Sequence, residues 1–60
     1  MSQEDMKAHR VVLLAAFEAA SAAWQAAKDA GDRSVADACS DEMRTLYREM
    51  TEVEAALKAS

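Results

Sequence analysis

The sequence predicts an all-α fold, an antiparallel two-helix hairpin that completes its core by pairing with a second copy as a homodimeric four-helix bundle. Three observations lead there. Proline is absent, and the one glycine, Gly31, stands at the middle of 60 residues that are otherwise rich in strong helix formers. Apolar residues recur at alternating spacings of three and four on both sides of that glycine, the pattern of helices that pack along one another. The first half carries more apolar side chains than one such stripe can use.

The first helix is expected at about 3–30. Ser2 suits the N-cap, with Asp5 three positions on as in a capping box, and Glu4 and Asp5 face the positive end of the helix dipole. Lys28 falls in the last turn, and Gly31 can take the left-handed conformation that ends helices. A turn at about 31–33 follows, and the second helix is expected at about 34–58. Asp32 or Ser34 would cap it, Asp37 making Ser34 a second capping-box candidate, and Lys58 lies near its C-terminus. The whole chain reads as a single helical-hairpin domain.

The stripes define a seam. In the first helix it runs through Met6, Arg10, Leu13, Phe17, Ala20, Trp24 and Ala27. In the second it runs through Ala36, Cys39, Met43, Leu46, Met50, Val53 and Leu57. Folding at Gly31 sets Met6 against Leu57, Arg10 against Val53, Leu13 against Met50, Phe17 against Leu46, Ala20 against Met43, Trp24 against Cys39 and Ala27 against Ala36. Large residues thereby meet small ones, as close packing requires.

That seam leaves the first helix incompletely covered. Val11, Val12 and Leu14 fall outside it, and Ala15, Ala16, Ala19 and Ala23 belong to a broad alanine face. A chain of this length buries only about 60% of its unfolded surface on folding, and oligomerisation is a usual remedy. Val11, Val12, Leu14, Ala15, Ala16, Ala19 and Ala23 are therefore the expected dimer interface. The same surface would suit a helix or groove of another protein.

Composition narrows the function classes. The net charge is −4, with 7 Lys and Arg against 11 Asp and Glu. That balance disfavours general nucleic-acid binding, which relies on clustered basic residues. The single cysteine excludes a disulfide within the chain and suits a reducing, cytoplasmic setting. Met1 to Asp5 is acidic, unlike a signal peptide, and the longest apolar run, Val11 to Phe17, is too short to span a bilayer, so no membrane role is expected.

No residue pattern points to catalysis. His9 has no metal-ligand spacing around it, and one Cys and one His do not make a zinc site. There is no phosphate loop, nucleophile constellation or cofactor motif. The expectation is a non-enzyme with no cofactor and no metal. Cys39 reads as a small core hydrophobe. Arg10, at a seam position, is expected to reach out to Glu54 or Glu49 on the facing helix, or to fix register. Asp37, Asp41, Glu49 and Glu52 read as an exposed acidic face. Tyr47 is expected at the seam edge, its ring covering the core. With Arg44 and Arg48 it makes the candidate contact for a protein partner, since Tyr and Arg are enriched at interface hot spots. The alternative is a solvated face with Arg48–Glu52 and Arg44–Glu49 pairs.

Two stretches, Ala36-Asp37-Ala38-Cys39 and Leu46-Tyr47-Arg48, are similar to parts of the second helix of the Rop family of plasmid copy-number regulators, although their spacing fits only with a gap. The expected architecture also resembles that family. The resemblance implies a dimeric hairpin that binds paired RNA loops. Against it, the first helix is alanine-rich and lacks the polar and basic face that the family presents to RNA. The leading expectation is thus a protein–protein interaction module of adaptor or inhibitor type. Phage and mobile-element accessory proteins offer an analogy in size and style. A Rop-like RNA-binding regulator and a purely structural oligomerisation module are the alternatives.

Overall fold

The computed structural model describes residues 2–59. Two helices, α1 (Gln3–Ala30) and α2 (Arg33–Ala59), pack against each other as an antiparallel hairpin. The long dimension is 44 Å and the other two are 14 and 13 Å. A helix of this length spans about 42 Å at 1.5 Å per residue, so the molecule is one helix long and two helices wide.

The ends follow from local hydrogen bonding. Ser2 is extended, and its hydroxyl oxygen accepts from the Asp5 N–H at 3.2 Å. At the other end of α1, Gly31 has φ +76°. Its N–H donates to the Lys28 carbonyl at 3.1 Å, and the Asp32 N–H donates to the Ala27 carbonyl at 2.8 Å. This Schellman pairing satisfies carbonyls that the helix end would otherwise leave open. Asp32 then starts α2: its carboxylate accepts from the Val35 N–H at 3.2 Å, and its carbonyl accepts from the Ala36 N–H at 3.0 Å.

One residue therefore closes the first helix and opens the second. This differs from the expected turn at 31–33. Arg33 is already helical, Ser34 lies inside the first turn of α2 rather than capping it, and α2 runs to Ala59. The physical reason is that the Asp32 carboxylate takes the capping role two positions before Ser34.

The seam carries the core, but a thin one. Leu13, Ala20, Ala27, Ala36 and Cys39 are buried, the first of them 4% exposed. Met6, Phe17, Trp24, Met43, Leu46, Met50, Val53 and Leu57 are only half-buried, and Arg10 is exposed. The size matching expected along the seam thus yields an uneven result. The small residues are enclosed, because two helix backbones shield them from both sides. Apart from Leu13, the large ones extend past the contact line and keep one flank in solvent. Among the described residues no side chain is completely enclosed.

Candidate functional site

The candidate surface begins where the seam ends. Val11 and Val12 are each 64% exposed and Leu14 is 49% exposed. Ala15, Ala19 and Ala23 are exposed, while Ala16 is half-buried. Helix geometry divides this set in two, since residues three or four apart share a side and adjacent ones do not. Val12, Ala16, Ala19 and Ala23 form one stripe. Val11 and Leu14 belong to the opposite flank of the seam, where they line a shallow groove with Arg10, Met50 and Glu54. The off-seam apolar residues thus divide between two flanks, with Ala15 on the outer surface between them.

A second groove lies on the alanine-stripe flank. Met6, His9, Glu49, Glu52, Val53 and Ala56 line it. Glu49 is therefore not part of a fully exposed acidic face as expected. It is half-buried and lines this groove beside the seam together with Met6 and Val53. These linings also set the level of the helices: Met6 lies level with Val53 and Ala56, and Arg10 level with Met50 and Glu54.

Arg10 occupies the mouth of its groove without an ion pair to any described residue, although Glu54 lines the same groove. The expected reach to Glu54 or Glu49 is not made. On α2, Arg44 pairs back to Asp41 at 4.0 Å, with both side chains more than 70% exposed. The Arg44–Glu49 and Arg48–Glu52 pairs of the alternative reading are not formed among the described residues. Such exposed pairs contribute little to stability. Tyr47 is 65% exposed, so its ring stands in solvent and does not cover the seam. The cause is visible in the backbone: Tyr47 follows Leu46, which takes the inward position, and an adjacent residue is rotated well away from it. Arg44, Tyr47 and Arg48 thus form an accessible patch on α2.

A third hollow lies at the turn, lined by Trp24, Lys28, Gly31, Asp32, Arg33, Ala36 and Asp37. Here the Lys28 ammonium sits over the Trp24 ring, 4.9 Å from its centre. The spacing of four residues between them was the available sequence signal. The charges around this hollow are mixed in sign, which favours no ionic ligand. Cys39 is a free, buried thiol. Among the described residues no group of three or more His, Cys, Asp or Glu is placed to hold a metal ion. No helix among them is long and apolar enough to cross a membrane.

No family model, curated protein or solved structure matches the chain.

Proposed function

We propose that this protein works by helix-to-helix association and not by catalysis, as an interaction module of adaptor or inhibitor type. In this reading it pairs with a second copy as a four-helix bundle in the cytoplasm, where Cys39 stays a thiol. The Arg44–Tyr47–Arg48 patch then meets a protein partner.

The observation that carries this reading is the distribution of exposure along α1. Val11, Val12 and Leu14 stand in solvent while the core is built largely from alanines. Scattered exposed apolar residues are ordinary, but Val11 and Leu14 together line one groove, and Val12 adds exposed apolar surface on the other flank, which supports contact surfaces along α1. The grooves are shallow and open, which suits the ridge of another helix rather than an enclosed substrate.

Affinity capture tests it. Immobilised wild-type protein is expected to retain proteins, untagged copies of itself included, that two variants lose: Val11→Glu with Leu14→Glu, and the triple change of Arg44, Tyr47 and Arg48 to Ala. Circular dichroism should show unchanged helicity in both. Retention of the same set by all three columns would overturn the reading.

A further inference from the structure

We propose that the groove lined by Arg10, Val11, Leu14, Met50 and Glu54 seats a second copy of this chain about a two-fold axis running along the hairpin. Each α1 then lies over the other copy's α2, and both turns sit at the same end. The inference rests on the reading of the protein as an interaction module and specifies which surface pairs and how.

The first argument is area. The chain exposes 4409 Å² for a mass of 6.5 kDa. A compact folded monomer of that mass exposes about 3,800 Å², so each copy has about 600 Å² in excess. Two copies covering their excess would bury about 1,200 Å², the size at which specific, stable interfaces begin. The exposed Val11 and Leu14 and the half-buried seam residues contribute apolar area to that surface.

The second argument is charge. Arg10 on α1 and Glu54 on α2 stand at one level of the hairpin, on opposite walls of an apolar groove, and are not paired with each other. A two-fold axis parallel to the helices carries α1 of one copy onto α2 of the next at unchanged height. Arg10 then meets Glu54 of the second copy, and the symmetry makes the same contact twice. Leu14 falls over the second copy's Met50 one helical turn from those contacts, on the side nearer Gly31. The groove is complementary to itself in both charge and apolarity.

The opposite flank fails this criterion. Its groove is rimmed by Glu49 and Glu52 and lined by no Lys or Arg. A second copy there would bring two carboxylates from each chain into an apolar contact with only His9 as a basic neighbour, a poorer match than one Arg to one Glu.

Charge reversal in purified protein gives a direct test. Wild type is expected to sediment at twice the chain mass at tens of micromolar. Arg10→Glu alone and Glu54→Arg alone should each weaken self-association by at least about tenfold, because each places like charges together twice. An equimolar mixture of the two variants should regain wild-type affinity as a mixed pair, since both contacts are again between opposite charges. Both sites are exposed, so helicity by circular dichroism should not change. A monomeric wild type would overturn the proposal. So would a dimer indifferent to either reversal, or a mixture that fails to recover. A monomeric wild type would also remove the self-pairing part of the proposed function, whereas a dimer indifferent to charge reversal would remove only this geometry; capture of a different protein by the wild-type column is read separately from both.

Discussion

The Lys28 ammonium lies 4.9 Å from the centre of the Trp24 ring, one helical turn further along α1. The contact places a cation against the negative face of the ring, close to the turn where α1 ends. It also gives the only tryptophan of the sequence a charged neighbour.

Removing that neighbour should be visible in two ways. Lys28→Ala is expected to lower stability by about 0.5–1 kcal/mol, the range for a partly exposed cation–π contact. It should also shift the Trp24 emission. Lys28→Arg keeps the cation and should leave both nearly unchanged. Urea unfolding followed by tryptophan fluorescence measures both effects, and equal losses in the two variants would exclude the contact as their cause.

The turn offers a cleaner backbone test. Gly31 has φ +76°, and a methyl group added there meets no atom within 4 Å. Any cost of Gly31→Ala is therefore conformational rather than steric crowding, about 1–2 kcal/mol. Gly31→Asn should cost less, because asparagine tolerates the left-handed region better. Thermal unfolding of the three proteins gives the order.

Capping of α2 separates two neighbours that look equivalent in sequence. Asp32 accepts from the Val35 N–H, whereas Ser34 is already helical. Asp32→Ala should destabilise by about 1 kcal/mol. Ser34→Ala should be neutral or slightly stabilising, since alanine is the better helix former. Chemical denaturation of both distinguishes them.

Core and surface should respond differently to the same loss of side chain. Leu13 is 4% exposed, and Leu13→Ala should cost about 2–5 kcal/mol. Val11→Ala, at an exposed position, should change the intrinsic stability of the hairpin by no more than about 0.5 kcal/mol. If the proposed self-association holds, the wild-type melting temperature rises with protein concentration. Val11→Ala with Leu14→Ala should flatten that dependence.

The thiol reports on the seam. Cys39 is 9% exposed, so its reaction with a thiol-specific reagent should be slow in buffer and fast in denaturant. A rate in buffer close to the denatured rate would mean that the seam opens readily at Cys39.

Much of this architecture was legible in the residues. Gly31 as the break, the capping by Ser2 and the seam positions all follow from rules of local spacing. A stripe of apolar residues three and four apart has few other structures to adopt. The candidate surface was legible only in part. Val11, Val12 and Leu14 were recognisable as surplus, because they fall off the seam. That they face two different flanks required the second helix, since a flank is defined by what lies across from it. Tyr47 and Glu49 show the same limit. Both border the seam in sequence, yet Tyr47 stands in solvent and Glu49 is half-buried. They stand two positions apart, on opposite sides of the seam, and the spacing pattern alone does not say which side is covered.

By itself, the sequence determined that this chain is two helices joined at Gly31, because helix propensity, end signals and periodicity are short-range properties written in consecutive residues. Only the tertiary structure decided how much of the seam is enclosed. Two helices shield alanines from both sides but leave Phe17, Trp24 and the methionines with a wet flank. It also decided that Arg10 and Glu54, far apart in the chain, share one groove without pairing. Burial and charge placement depend on which long-range surfaces meet, and that is settled by packing rather than by any local pattern.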